Sequence, residues 1–383
     1  MGATMKTQSV LFLLVLAPLS MWTAESAVAQ GTIPAGGGTS TITRPDAIND
    51  VGYGGFMANA SGAIIAGGVL TGKVQVQGDP LLWEPLRVVL SCSTGKTNLT
   101  ADTDATGTYV INHVNLPKVY TIDGDLTQEM LQHYEGCSVS APLAGYHSTS
   151  VTITQKNLRD NPYLANIVLT VDEHAPGTAI STAGESTSPE AMKAFGKAHE
   201  EWLRRDTDGA QKDLLSVVQL DPQFAEAWYL LGRLQLGSDM AAAADSFKKA
   251  QAAGPKFVLP CVYLAGIYVE KRDWQEANEW ADRALGLDPA GTARLWYYAA
   301  QVDYHLGKNE AARSAAQTAL EMDPEHTVPN AEELLALTLA DKGDYPDALQ
   351  HLRNSLTYIQ GGPSADLIKR QIAYLEQQNA AKK

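Results

Sequence analysis

The stretch "ALGLDP" at residues 284–289 has three relatives elsewhere in the chain. They are "VVQLDP" at 217–222, "AQAAGP" at 250–255 and "ALEMDP" at 319–324. The final prolines lie at intervals of 33, 34 and 35 residues. A nearly fixed period of this length is typical of stacked supersecondary units, because one unit alone cannot bury its apolar face. The four endings therefore predict a helical repeat array.

Small residues recur at two positions when the endings are aligned on their prolines. The first ladder is Ala198, Gly232, Ala265, Ala300 and Ala336, and the second is Ala210, Ala243, Ala277, Ala312 and Ala348. Two helices of about 13 residues, each about 20 Å long, fit this spacing. Small side chains are needed where paired helices cross, since larger ones force the axes apart. The proline then ends the second helix.

The repeat motifs resemble those of the tetratricopeptide repeat family. The second repeat, "AEAWYLLGRLQLG" and "DMAAAADSFKKAQAAGP", places Trp228, Gly232, Ala243, Phe247 and Pro255 at the family's characteristic positions. The resemblance implies five helical hairpins over residues 189–361 and a capping helix with a tail over 362–383. Trp228 and Trp296 stand at the family's packing position, which implies that both are core residues.

The first helix of each repeat lines a concave groove in this family, so the resemblance implies a binding surface for a protein or peptide. The implied groove residues are Phe195, His199, Trp202, Tyr229, Arg233, Arg294, Tyr297, Gln301, Tyr304 and His305. Glu226 and Glu333 stand at groove-facing positions as well, and Tyr263 and Glu270 flank the set. Aromatic residues and arginine dominate protein interfaces, although the alternative for each tyrosine is a place in the core between repeats.

The first half of the chain predicts β-structure. Short alternating runs between Gly68 and Val171 are separated by turn-forming combinations such as "QGDP" and "DATG". The segments "GKVQVQGDPLLWEPLRVVLSC" and "TDATGTYVI" resemble the carboxypeptidase regulatory-like domain, a transthyretin-like accessory module. The expected fold class is thus multidomain: a small antiparallel β-sandwich of about seven strands over 64–172, followed by an all-α repeat solenoid.

This resemblance transfers no catalytic residue, but the superfamily's carbohydrate-binding-like fold suggests a second function. A glycan site needs exposed aromatic side chains, and the candidates are Trp83, Tyr109, Tyr120, Tyr134 and Tyr146. The alternative to partner binding by the groove is therefore glycan binding by the β-sandwich, with the repeats serving as a spacer.

Residues 1–29 have the pattern of a signal peptide. Lys6 precedes the apolar run 10–22, and small residues at Ala27 and Ala29 suit cleavage after Ala29. The alternative is a retained anchor, although 13 apolar residues are short for a span of about 20. We expect export to the periplasm or the extracellular space, with a Gly/Thr/Pro-rich leader over 30–63 and a linker over 173–188.

The cysteines fit an exported protein. Cys92 and Cys137 lie in strand-like runs and could pair in an oxidising compartment, whereas the alternative is two buried thiols. Cys261 lies alone in a helical region. No zinc-binding spacing is present, so no metal or other cofactor is predicted.

Charge and motifs argue against several classes of function. The formal charge is −14, divided evenly between the two halves, which disfavours nucleic acid and anionic membrane surfaces as partners. The "STGKT" at 93–97 lacks the glycine of a phosphate loop at Leu90, and "DTDATG" at 102–107 lacks the final glutamate of a calcium loop, His113 standing there. The chain is therefore predicted to be a non-catalytic interaction scaffold, an enzyme with a site between the modules being a distant third choice.

Overall fold

The computed structural model describes residues 57–58, 64–65, 69–78, 82–92, 98–112, 134–159, 163–181, 187–323, 326–359 and 361–382. The predicted signal peptide and Tyr120 lie outside these residues. Two compact units divide the chain. One contains the large β-sheets together with the first helical hairpin, up to Asp221, and the other contains the helices from Pro222 onward.

Among the described residues of the first unit, eight strands form two four-stranded sheets, against the seven or so that the sequence predicts. One sheet has the order β6-β3-β10-β8, with β3 Val69–Val76, β6 Thr108–Asn112, β8 Tyr146–Ser148 and β10 Ile167–Val171. The other has the order β5-β4-β7-β9, with β4 Arg87–Ser91, β5 Asn98–Asp102, β7 Ser138–Ser140 and β9 Val151–Thr152. A further pair joins β1 Met57–Ala58 to β2 Ile64–Ile65.

One strand pair departs from the antiparallel arrangement expected. Strands β3 and β10 run parallel, with Ile167 opposite Val74 and Leu169 opposite Val76. All four side chains are buried. Parallel neighbours need a long crossover connection. Here the connection from β3 to β10 includes all four strands of the second sheet.

A disulfide joins Cys92 to Cys137. Ser91 of β4 pairs with Ser138 of β7, so the residue after one strand faces the residue before the other. The predicted pairing is therefore confirmed, and its cause is the register of two adjacent strands.

The "TDATGTY" segment forms a tight turn that connects β5 of one sheet to β6 of the other. The Asp104 carboxylate accepts hydrogen bonds from the backbone N–H groups of Thr106 (2.8 Å) and Thr108 (2.9 Å). After the turn, Tyr109 lies over Gly72 on the neighbouring strand. A β-carbon at Gly72 would lie 2.5 Å from the tyrosine hydroxyl, so this strand requires glycine there.

A short helix, α1 (Gln155–Arg159), precedes β10, and five helical hairpins follow the sheets in the part of the chain that the structure describes. We number the hairpins as repeats 1 to 5. They are α2 Pro189–Leu203 with α3 Thr207–Leu220, α4 Ala225–Gln235 with α5 Met240–Ala253, α6 Val258–Glu270 with α7 Trp274–Leu287, α8 Ala293–His305 with α9 Asn309–Glu321, and α10 Asn330–Asp341 with α11 Tyr345–Tyr358. Helix α12 (Gly362–Lys382) follows and packs against α11.

Both ladders of small residues are buried, as the helix-crossing argument requires. At Gly232 a β-carbon would come within 2.9 Å of the Phe247 ring on the paired helix. The residues before the repeat prolines leave the helical conformation: Asp221 has φ −137° and Asp288 has φ −134°. The repeat endings thus stop the helices for the predicted reason.

The disulfide is expected to stabilise the first unit by about 4 kcal/mol, because it closes a loop of about 46 residues in the unfolded chain. Replacing both cysteines by serine, or reducing the native protein, should lower the free energy of unfolding of the β-sheets by the same amount. Circular dichroism at wavelengths that separate strand from helix would follow their unfolding.

The matched control is Cys261→Ala, which removes the buried thiol of α6 and leaves the disulfide intact. Equal stability of the oxidised and reduced protein would contradict the stabilising role.

Candidate partner-binding face

The first helices of repeats 2 to 5 contact one another as well as their own partners. Helix α6 packs against α8, and α8 packs against α10. Helix α4 reaches α6 through Tyr229 and Tyr263, whose ring centroids are 5.6 Å apart. These helices therefore share one continuous surface. We call the side chains of α4, α6, α8 and α10 at the predicted groove positions the inner face.

The junction of α4 and α6 is partly core and partly surface. Tyr229 is only 3% exposed and packs edge-on against Phe257 at 5.1 Å, so it is a core residue and not the accessible contact that the sequence predicts. The Arg233 guanidinium lies 5.5 Å from the centre of the Tyr263 ring. Both of these side chains are half-buried. Arg233 and Tyr263 are thus the accessible groups at this junction.

Tyr297 is also buried, with 3% of its surface exposed. Asn330 and Glu333 of α10 lie near its hydroxyl, and burial raises the pKa of that hydroxyl, with the Glu333 charge acting in the same direction. The Glu333 carboxylate in turn accepts a hydrogen bond of 2.7 Å from Gln371 of α12, and burial raises the pKa of Glu333. Tyr297 is therefore part of a buried polar cluster, because α10 and α12 bring partners to it.

The remaining predicted residues of α8 are more accessible. Arg294, Gln301 and Tyr304 are half-buried, and burial raises the pKa of the Tyr304 hydroxyl, with the charge of Asp341 on α10 acting in the same direction. His305 is exposed but stacks on Trp274, with ring centroids 3.8 Å apart. Partial burial, aided by the charge of Arg272, lowers the pKa of His305.

Carboxyl groups give the inner face an unusual electrostatic character. The surface of Glu226 on α4 is half-buried. Desolvation of its carboxyl group raises the pKa to about 8. Burial also raises the pKa of Glu270 at the end of α6, and this shift is opposed by Arg272. At neutral pH the Glu226 carboxyl is therefore largely protonated, and it can donate as well as accept a hydrogen bond.

The predicted residues of repeat 1 contact the segment of the first unit that connects β3 to β4. The Trp83 ring lies 5.3 Å from Phe195, 5.0 Å from His199 and 6.1 Å from Trp202, measured between ring centroids. His199 Nε2 is hydrogen-bonded to the carbonyl oxygen of Leu82 at 3.0 Å. Phe195 and His199 are buried as a result, so neither is open to a partner in this structure, contrary to expectation.

The role of Trp83 is missed by sequence reasoning, which considers this residue only as a glycan contact. The available signal was a tryptophan in the apolar run "LLW", between prolines 80 and 85, in a segment that connects two strands. Tyr109 and Tyr134 are fully buried, and Tyr146 is half-buried. The predicted glycan contacts therefore present little aromatic surface among the described residues.

The tryptophans at the family's packing position, Trp228 and Trp296, are half-buried and not part of the closed core. Each donates its indole N–H to a backbone carbonyl six residues earlier, Trp228 to Pro222 (2.9 Å) and Trp296 to Ala290 (2.8 Å). These hydrogen bonds thus hold the backbone segments that lead into the first helices of repeats 2 and 4.

Neither a cluster of metal ligands nor a membrane-spanning helix occurs in the part of the chain that the structure describes. No group of three or more His, Cys, Asp or Glu side chains is arranged there to hold a metal ion. None of the described helices combines the length and the apolar character needed to cross a bilayer.

The sequence model of the tetratricopeptide repeat family matches residues 195–256, 263–327 and 297–365. The helical hairpins are therefore tetratricopeptide repeats. No curated protein matches the chain with significance.

Several solved structures are similar to part of the chain. YrrB, described as a tetratricopeptide repeat protein with an unusual peptide-binding site, is 21% identical over 47% of this chain and 91% of its own, with a TM-score of 0.41. MamA from Desulfovibrio magneticus RS-1 is 17% identical over 46% of this chain and 98% of its own, with a TM-score of 0.40. TTC0263 from Thermus thermophilus is 20% identical over 49% of this chain and 99% of its own, with a TM-score of 0.34.

Tyr297→Ala should lower the free energy of unfolding by about 3–5 kcal/mol, the range for truncating a buried aromatic side chain. Tyr304→Ala should have less than half that effect, because Tyr304 is only half-buried. Urea denaturation of the two variants would measure the difference, and a loss for Tyr297→Ala as small as that expected for Tyr304→Ala would show that Tyr297 is not a core residue.

Glu226 should make the second unit less stable as the pH rises from about 5 to 8. Its pKa is about 8 in the folded protein against a reference value of 4.5, so the folded state binds more protons in this window and loses stability as they leave. Glu226→Gln stays neutral and should remove this loss, by at least about 1 kcal/mol at pH 8.

Thermal unfolding between pH 5 and 8 would test this, with Glu279→Gln on α7, an exposed glutamate, as the matched control. Parallel pH profiles for the native protein and Glu226→Gln would contradict the raised pKa.

Proposed function

We propose that this protein is an exported, non-catalytic scaffold whose inner face binds an extended segment of a partner protein. The observation that carries the proposal is the row of half-buried side chains that successive first helices contribute. They are Glu226 and Arg233 on α4, Tyr263 and Glu270 on α6, and Arg294, Gln301 and Tyr304 on α8. An extended segment lying across these helices meets a new set of contacts at each repeat.

The composition of the row suits recognition of a peptide. Arg233 and Tyr263 combine a fork of donors with an aromatic surface, and such side chains form many of the strongest contacts at interfaces. The protonated Glu226 and the amide of Gln301 can each both donate and accept a hydrogen bond. An extended backbone presents alternating N–H and C=O groups, which such side chains can pair.

Export is supported by the disulfide and by the pattern of residues 1–29. Disulfides persist in oxidising compartments and are rare in the cytosol. We therefore place the protein in the periplasm or outside the cell. The non-catalytic assignment rests on the incomplete enzyme motifs of the sequence.

Charge reversal on the inner face should disrupt partner binding. Arg233→Glu should lower the amount of partner captured from an envelope extract by about thirtyfold, the effect of losing an anchor worth about 2 kcal/mol. The matched control is Arg283→Glu, which makes the same change on the exposed surface of a second helix, α7. Quantitative mass spectrometry of the retained proteins would measure the ratio.

Retention of the same proteins in equal amounts by Arg233→Glu and Arg283→Glu would overturn the assignment to the inner face. Melting curves of both variants, expected to match the native protein within about 2 °C, would exclude unfolding as the cause of a loss.

A further inference from the structure

The segment Leu82–Leu86, between β3 and β4, docks on helix α2 of repeat 1. Trp83 lies among the rings of Phe195, His199 and Trp202 at 5.0–6.1 Å, and only 7% of its surface is exposed. All of these residues belong to the first compact unit. The contact is therefore internal to that unit.

The segment has the geometry of a bound peptide. Leu82 lies towards the β-sheets, where its side chain would be 3.7 Å from a β-carbon at Gly107, whereas Trp83 packs on α2. At the far end, Leu86 makes two hydrogen bonds of 2.9 Å with Thr103: its N–H donates to the threonine hydroxyl, and its carbonyl accepts from the threonine N–H. The segment is thus anchored at one end and presents one large side chain to the helix.

The side of α2 that it covers is the one predicted to bind ligands. Phe195 and His199 occupy the same repeat positions as Tyr229 and Arg233 of α4. His199 bonds the backbone carbonyl of Leu82 while Phe195 contacts the Trp83 ring. One contact to the backbone and one to a side chain is the combination that recognises an extended segment.

The contact has one unfavourable feature. The indole nitrogen of Trp83 is buried and has no hydrogen-bond partner among the residues that the structure describes. An unpaired buried N–H weakens a contact. A segment whose tryptophan N–H finds a hydrogen-bond acceptor when bound can therefore compete with Leu82–Leu86.

We propose that Leu82–Leu86 is an intramolecular ligand of repeat 1, and that this face of α2 is a binding site for an extended segment bearing a tryptophan. A partner's segment of the same chemistry binds there by displacing Trp83. The site is distinct from the inner face of repeats 2 to 5, so it is independent of the function proposed above.

A peptide with the sequence of residues 79–87, DPLLWEPLR, tests the proposal. Fluorescence anisotropy of the labelled peptide should show binding to the full chain carrying Trp83→Ala. Binding to the native chain should be weaker by roughly tenfold or more, since the tethered segment competes at an effective concentration on the order of millimolar. A peptide with alanine in place of tryptophan should not bind.

Two further variants locate the site. Trp274→Ala, a matched loss of tryptophan in the second unit, should bind the peptide as weakly as the native chain does. Trp83→Ala combined with Phe195→Ala should lose peptide binding. No binding to Trp83→Ala, or equal binding to the native and Trp83→Ala chains, would overturn the proposal.

A second measurement covers the case in which Trp83→Ala does not fold, as shown by loss of the Cys92–Cys137 disulfide. His199→Ala removes the bond to the Leu82 carbonyl and the edge contact of the imidazole with the Trp83 ring. Hydrogen exchange at the Trp83 and Glu84 amides should then accelerate by about tenfold or more, while that of the β4 amides stays unchanged. Unchanged exchange at Trp83 and Glu84 would show that α2 does not hold the segment, and would overturn the proposal.

Discussion

The close approach of paired helices through alanine and glycine is the constraint on which the repeat region depends. At Gly232 the next helix leaves no room even for a β-carbon, since Phe247 lies 2.9 Å from where one would be. Backbones this close exclude water and let larger side chains pack around the crossing. The same closeness brings the first helices of successive repeats into contact, and so creates the inner face.

Contact between first helices also divides the predicted groove residues into two groups. Tyr229 and Tyr297 reach neighbouring repeats and are buried there, whereas Arg233 and Tyr304 remain half-buried. An aromatic side chain at such a position can serve either the core or a partner, and the outcome depends on what the next repeat places beside it. For Tyr297 the neighbour is Asn330, within a cluster completed by Gln371 of the last helix.

The first repeat shows the same principle in a different form. No described hairpin precedes it, and the chain covers its Phe195 and His199 with Trp83 from the β-sheets. The first unit therefore includes the first hairpin as well as the sheets. An exposed aromatic surface at the start of a repeat array needs a cap, and here the β-sheets provide it.

The sequence alone determined the helical repeats, their small-residue ladders and their proline-directed ends, because these follow from spacing along the chain. It also indicated the paired cysteines and the strand-rich first half. It did not determine that β3 and β10 run parallel, that Tyr229 and Tyr297 are buried, or that Trp83 covers α2. Those features depend on residues distant in the chain, such as Gln371 beside Glu333 or Leu82 beside His199. A local pattern cannot encode which distant side chain arrives at a surface, so only the tertiary structure decided which residues a partner can reach.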